Sequence, residues 1–161
     1  MSTLVSEEQV RQWLDETVVQ DVTDHTDDET AFNLEIQLSR LPIHLIKEES
    51  TGPVRVVGRS GFDTDHSRRL LREDERRGEF LRYVGPMLAA TPGFYTFLDE
   101  EGLSCALENA ETIQVEYRLY PDGASQQALM DATMAIGTSM RYVQNVVGAL
   151  RPRESTSDSD S

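Results

Sequence analysis

The feature that limits the fold of this chain most is a regular strand that is followed, after a short turn, by a long apolar helix. From Ile113 to Leu119 apolar and polar residues alternate, which is the pattern of a strand with one buried face. Pro121-Asp122-Gly123 supplies the turn, and apolar residues then recur at heptad spacing from about Ser125 to Leu150. A helix of that length must bury its apolar stripe against another layer. We therefore expect it to lie on a sheet that contains the strand.

A second run of alternation, from Phe32 to Leu38, opens a block of three predicted strands. Ile43–Lys47 and Val54–Val57 continue the block as shorter strands joined by a turn. Before the block, Ser6 to about Gln20 has the apolar spacing of a short amphipathic helix with a serine as N-cap. We expect the segment Asp21–Thr30, which is polar and acidic, to be a connection without regular structure.

The middle of the chain, from Thr64 to about Ala90, is predicted to be helical, with Thr64 or Asp63 as its cap. The charged segment Arg72–Glu79 has no apolar residue and predicts a break. Phe94–Leu98 is then predicted to pair with Leu103–Glu108 as a hairpin. The fold class is therefore α+β. We expect an antiparallel sheet of five to six strands in the order α-βββ-α-βββ-α, with helices mainly on one face and a long C-terminal helix.

The 161 residues fit one domain of ordinary size. We place a flexible N-terminus at residues 1–5 and a single α+β domain at residues 6–151. Residues 152–161 are serine, aspartate and little else, and cannot bury enough apolar surface to offset the entropy of ordering. We therefore predict a disordered acidic tail there.

The charge balance is unusual. Twenty-nine acidic residues stand against 15 basic ones, the formal net charge is −14, and Lys47 is the sole lysine. Such a composition is typical of halophilic cytosolic proteins, because at 1 M salt the Debye length is about 3 Å and acidic surfaces repel themselves little. The charge disfavours nucleic-acid backbones and anionic membranes as partners. With no signal-peptide pattern and no apolar run of about 18 residues, we expect a soluble, cytoplasmic protein.

Motif analysis predicts no catalytic residue, no cofactor site and no metal site. His25, His44 and His66 fall in different predicted segments and have no metal-ligand spacing. Cys105 alternates with leucines and is interpreted as a small core residue. The arginines between Arg68 and Arg77 are interleaved with acidic residues at helical spacing. We interpret them as ion-paired surface groups rather than as an anion site.

One candidate protein-binding site consists of four residues that are predicted to point away from the main buried set of their strands. They are Val57, Tyr95, Phe97 and Tyr120. If the helices cover one face of the sheet, these side chains give the other face an apolar, aromatic patch suited to protein binding or dimerisation. The alternative is a sheet that is covered on both faces, or one in which some strands twist so that both faces are partly buried.

The element order closes with the segment Ile113–Gly123 and a long helix rich in Met and Val. In this respect the chain resembles an uncharacterised family of archaeal, specifically haloarchaeal, proteins. More distantly, the layout is similar to the type III secretion chaperone-like fold and to the YbjN-like domains. The resemblance covers roughly Val5 to Leu150 and brings no catalytic residues with it. It implies a small, acidic, often dimeric protein that binds segments of other proteins, although the strand count differs from that of the secretion chaperones.

We therefore expect a non-enzymatic, chaperone-like or adaptor domain that dimerises or binds another protein through its sheet and long helix. The expected partner is a protein or a second copy, with no cofactor, no direct nucleic-acid contact and no membrane insertion. Two alternatives stay open. One is a small-molecule-binding or enzymatic domain with a pocket between the sheet and the second helix, and the other is a regulator that acts through protein contacts.

Overall fold

Two stretches of the chain, residues 4–62 and 65–150, are described by the computed structural model. The side chains of residues 65–67 lie outside that description, and so does the tail predicted at 152–161. The predicted helix cap at Asp63 or Thr64 lies outside it as well.

A six-stranded antiparallel sheet forms one layer of the protein and helices form the other. The strands are β1 (Val19–Asp24), β2 (Phe32–Leu38), β3 (Leu41–Lys47), β4 (Val54–Gly61), β5 (Phe94–Leu98) and β6 (Thr112–Leu119). The helices are α1 (Glu7–Trp13), α2 (Asp65–Arg72), α3 (Asp74–Ala90) and α4 (Gln126–Ala149). Across the sheet the strand order is β1-β2-β3-β4-β6-β5, so β1 and β5 are the two edges.

Helix α4 lies across β3, β4 and β6 and holds the two layers together. Its buried stripe includes Leu129, Ile136, Met140 and Val143. Gly58 of β4 lies directly beneath this helix, because a Cβ built there would come within 2.7 Å of both Ile136 and Met140. The remaining helices pack on α4 or on one another, with α1 and α3 against α4 and α2 against α3.

The predicted fold class is confirmed, and so are the long final helix and the break in the charged part of the middle helix. That break falls at Glu73, between α2 and α3. Two predicted boundaries differ from the structure. The first helix ends at Trp13 and β1 follows it, whereas Leu103–Glu108 forms a single bridge at Ser104 and a short 3-10 helix that begins at Leu107, not a strand.

The sole lysine of the chain serves the core. Lys47 is 2% exposed, and its ammonium donates a hydrogen bond of 2.7 Å to the carbonyl oxygen of Val5. Burial lowers the pKa of this lysine. Val5, which lies in the segment predicted to be flexible, is itself buried in the core. The described surface therefore takes its permanent positive charge from arginine alone. Among the described residues, no helix combines the length and the apolar character needed to cross a membrane.

Candidate functional site

The register of the strands assigns every sheet residue to one of two faces, because directly opposed residues point the same way. One row runs through Ile43, Gly58, Val115 and Tyr95. It faces the helices, since Gly58 contacts α4. The adjacent row points to the opposite side and runs through Glu35, His44, Val57, Glu116 and Phe94. We call that side the open face.

The four predicted binding residues do not share a face, so that part of the prediction is wrong. Val57 lies on the open face, and Tyr120 continues the alternation of β6 towards the same side. Tyr95 and Phe97 point to the helix face, since they pair with the core residues Val115 and Ile113. Phe97 packs against the core. Their role in binding stays a prediction, but the continuous patch expected from the sequence does not form.

Val57 is 0% exposed despite its position on the open face. In register it lies between His44 and Glu116, and Arg55 and Arg59 are its neighbours on the same strand. Four larger side chains therefore flank Val57 on this face. Val57 is therefore a support for the open face and offers no surface of its own.

Phe94 is the aromatic residue of β5 that does reach the open face, and sequence reasoning missed it. Its ring is 44% exposed and lies beneath the guanidinium of Arg118, with 5.1 Å between Cζ and the ring centroid. Tyr120 is 52% exposed and lies near Arg118. The pKa of Arg118 is raised, mainly by Glu116 and to a smaller extent by the phenol of Tyr120. We call Phe94, Arg118 and Tyr120 the aromatic corner. The sequence carries no signal for it, because β5 has apolar residues on both sides of its alternation and only the pairing of Phe97 with Ile113 in the structure sets the direction of its side chains.

A buried carboxylate anchors this corner to the sheet. Glu116 is 1% exposed; its Oε1 accepts a 2.6 Å hydrogen bond from Arg55 and its Oε2 accepts one of 2.8 Å from Arg118. Burial alone would raise the pKa of Glu116, but the two arginines outweigh it and lower the pKa. Arg55 also donates to Glu48 at 2.6 Å. This network holds Arg118 in place over Phe94.

The β1 side of the open face carries a second polar cluster. The Nε2 atoms of His25 and His44 lie 3.6 and 3.7 Å from the same oxygen of Glu35. Burial lowers the pKa of His44, and the opposing effect of Glu35 is smaller. Sequence reasoning kept the two histidines apart because β1, which leads into His25, was not predicted. Within the described residues, no group of three or more His, Cys, Asp or Glu side chains is placed to hold a metal ion.

The β5 edge leaves part of its backbone without a partner. The carbonyl of Leu98 accepts from the amide of Glu111 on the β6 side, whereas the carbonyl of Phe97 accepts from the amide of Cys105 on the outer side. Alternate residues of a strand direct their backbone groups to the same side. Tyr95 therefore directs its N–H and C=O outwards, as Phe97 does. No backbone group of the described residues bonds them.

The described part of the chain has surface depressions at three places that bear on ligand binding. The first, of about 380 Å³, is polar and lies at the β3–β4 turn beside Arg55 and Arg118. The second, of about 330 Å³, lies between the β2–β3 turn and α4. The third, of about 140 Å³, separates α2 from the β5–β6 connection. This last depression is the one nearest to the pocket that was expected beside the second helix.

The fold is similar to one solved structure, an uncharacterised protein from Methanothermobacter thermautotrophicus. The TM-score is 0.71 and the sequence identity 16%, and the match covers 91% of this chain and 99% of the other. A likeness at this identity concerns the fold. Among curated proteins no significant match is found.

The sequence itself matches one family profile over residues 6–147, which is nearly the whole of the α+β domain. That family is described as an uncharacterised conserved protein family, DUF2299. The chain belongs to the DUF2299 family.

Proposed function

We propose that this protein is a non-enzymatic, protein-binding domain of the chaperone-like or adaptor kind, and that its contact surface is the open face next to β5. The observation that carries the proposal is the aromatic corner. Phe94 and Tyr120 are large, exposed rings on the sheet face opposite to the one that α4 covers. Aromatic residues and arginine are enriched where proteins bind one another.

The distribution of charge supports the same surface. By the alternation of β2, β3, β4 and β6, the strand residues that face the open side include Arg55, Arg59 and Arg118 but only two carboxylates, Glu35 and Glu116. The chain as a whole has nearly twice as many acidic as basic residues, 29 against 15. The open face is thus the part of the sheet that a partner approaches with the least repulsion.

We further propose that the protein works in a high-salt, haloarchaeal cytosol. With −14 charges, two copies or a copy and an acidic partner repel one another strongly at low ionic strength. Molar salt screens this repulsion beyond about 3 Å and leaves short-range apolar contacts intact. Binding through rings such as Phe94 suits that medium, because apolar association does not weaken with screening.

A double substitution tests the proposal. Phe94→Ser with Tyr120→Ser removes both rings of the aromatic corner and leaves the core untouched. We expect a loss of at least about tenfold in partner capture or self-association, since buried aromatic hot spots contribute about 2 kcal/mol or more. Light scattering in molar KCl measures self-association, and affinity purification with mass spectrometry measures capture.

The matched control changes two exposed apolar side chains elsewhere. Leu81 and Tyr83 lie on α3 and are as exposed as the corner residues. Leu81→Ser with Tyr83→Ser should leave both mass and captured proteins unchanged. If the corner variant behaves as this control does, the open face is not the binding surface.

The small-molecule alternative is favoured by one observation, the 380 Å³ depression beside Arg55 and Arg118. Its size falls within the range of ligand pockets, which is about 300–1,000 Å³. Three carboxylates, those of Glu48, Glu49 and Glu116, stand near the two guanidinium groups and would oppose an anion. A ligand that co-purifies in molar salt, and is lost in Arg55→Gln, would favour this function over protein binding.

A further inference from the structure

The β5 edge offers hydrogen-bonding groups that the aromatic corner does not. The backbone N–H and C=O of Tyr95 lie at the outer edge of the sheet and bond no backbone group of the described residues, and the Tyr95 side chain is 46% exposed. An exposed edge with free backbone groups is a template for pairing with another strand. We propose that an extended segment of a partner protein adds to β5 as a seventh strand, and that this segment carries a carboxylate next to Arg118. This inference rests on the proposed protein-binding function and specifies its geometry.

The segment must lie along the first half of β5. The second half is already occupied, because the amide of Cys105 bonds the carbonyl of Phe97 and Ser104 forms a bridge with Leu98. Of β5, the part that the described residues leave open on its outer side is therefore Phe94 to Thr96. The aromatic corner lies beside this open segment.

A second copy of the chain does not fit this edge well. A two-fold pairing of β5 with itself about Tyr95 would place each Phe97 opposite Gly93 of the other copy. The outer side of Phe97 is already taken by Cys105, and Gly93 departs from extended geometry with φ of +101°. A separate extended segment that pairs with Phe94–Thr96 alone meets neither obstacle.

The carboxylate follows from the charges at the two ends of β5. At the Phe94 end the nearest exposed charge is Arg118. Its Nε donates to Glu116, whereas its terminal nitrogens bond no carboxylate of the described residues. At the Leu98 end stand Asp99 and Glu100. Antiparallel pairing is the commoner and slightly more stable arrangement. An antiparallel segment would therefore have its carboxylate near its C-terminal end.

Two capped peptides of equal composition test this arrangement. Each is a strand-length probe of about six residues, alternating valine and threonine with one glutamate, which lies near the C-terminus in one and near the N-terminus in the other. Labelled peptide and full-length protein are titrated in molar KCl and followed by fluorescence polarisation. We expect the peptide with glutamate near its C-terminus to bind about three- to fivefold tighter than the other peptide. The expected difference is small because an exposed ion pair is weak. Equal affinities would overturn the assignment of the carboxylate.

A backbone substitution tests the strand addition itself. Tyr95→Pro removes the outward N–H without breaking the β6 ladder, whereas Tyr95→Ala removes the ring and keeps the N–H. We expect the proline variant to bind at least about tenfold more weakly than the alanine variant. Equal binding by the two variants, or no binding of either peptide by the wild type at millimolar concentration, would overturn the inference.

Amide exchange in the unmodified protein covers the case in which the proline variant fails to fold. The Tyr95 amide should exchange fast in the free protein and become protected when peptide is added, while the Thr96 amide stays slow throughout. One result overturns strand addition and leaves the proposed function standing. It is that added peptide does not change the exchange rate of the Tyr95 amide, while the Phe94→Ser, Tyr120→Ser variant still loses partner capture. If that variant retains partner capture, both strand addition and the proposed function are overturned.

Discussion

The two edges of the sheet differ in how they meet solvent. At the β1 edge the register shifts between Gln20 and Val22, and Asp21 adopts φ of +46° to form a bulge. Asp24 adds a second carboxylate, whose pKa the side chain and the amide of Thr26 lower. The β5 edge has neither device. Phe94–Leu98 contains no charged residue, and its first half is exposed.

This contrast separates an edge that resists pairing from one that permits it. Bulges and charges are the usual means by which proteins keep edge strands from joining other sheets. The β1 edge uses both, in a chain whose carboxylates are abundant. Their absence from β5, in the same chain, supports the proposal that β5 pairs with a partner strand.

The strongest effect should come from loosening β5 from β6. Gly93 has φ of +101°, and a Cβ there would collide with the backbone carbonyl of Glu116. Gly93→Ala should therefore cost about 3 kcal/mol of unfolding free energy, because a steric clash adds to the strain of a left-handed residue. Urea denaturation measures the loss.

Gly102 provides the matched control for that prediction. It also has a positive φ, +80°, but among the described residues other than its chain neighbours no heavy atom lies within 4 Å of the position that a Cβ would occupy there. Gly102→Ala should cost only about 1 kcal/mol, the strain alone. Equal losses in the two variants would show that close approach to β6 does not hold the β5 edge.

The next effect concerns the carboxylate beneath the aromatic corner. Glu116→Gln leaves two guanidinium groups without their shared anion and should cost about 2–3 kcal/mol. Glu35→Gln changes the equivalent position on β2, which is partly exposed, and should cost less than about 1 kcal/mol. A loss in Glu35→Gln as large as that in Glu116→Gln would contradict the role of the buried network.

The same network predicts acid sensitivity with a definite sign. The folded-state pKa of Glu116 lies below the ordinary value of 4.5, so its ion pairs stabilise the protein above that pH and are lost as the pH falls below it. Unfolding free energy should therefore drop below about pH 4.5 in the wild type and fall less steeply in Glu116→Gln. Parallel pH profiles would contradict this role.

The weakest effect lies on the β1 side of the open face. The folded-state pKa of His44 is below the ordinary 6.5, chiefly through burial, while Glu35 opposes and Arg59 and His25 reinforce the shift. The unfolded chain then binds the proton more readily, so stability is complete above pH 6.5 and declines as the pH falls through it. His44→Gln should flatten that decline by less than about 1 kcal/mol. Denaturation midpoints at pH 7.5 and 5.5 check it, and an unchanged slope would contradict it.

Elements with one strong period could be predicted from sequence, and those without one could not. Strand β6 buries the alternating apolar residues Ile113, Val115 and Leu119, and helix α4 buries one continuous stripe. Both elements lie where the sequence pattern placed them. Strand β1 buries only Val19, so nothing in its sequence distinguishes it from a polar connection. Leu103–Glu108 has the apolar alternation of a strand, yet Leu103 is exposed and Leu107 begins a short 3-10 helix.

The candidate surface was half predictable for the same reason. Strand β5 has apolar residues on both sides of its alternation, so composition alone does not say which side faces the core. The pairing of Phe97 with Ile113 decides it and puts Phe94 on the open face. Tyr120 allowed the prediction that exposed rings lie near the last strands. The cluster of His25, Glu35 and His44 could not be predicted, because it depends on strand β1, which the sequence did not reveal.

Partner capture by variants of the two edges is the sharpest test of whether β5 alone accepts a partner. Tyr95→Lys and Val22→Lys each place a charge on a half-exposed residue of an edge strand, and both side chains point to the helix face. Proteins captured from a host extract in molar KCl are then quantified by mass spectrometry. We expect Tyr95→Lys to lose at least about tenfold of its bound partner and Val22→Lys to retain it, because one charge on an edge strand suffices to block pairing. Equal retention by both variants, or a loss confined to Val22→Lys, would contradict the assignment of β5 as the binding edge.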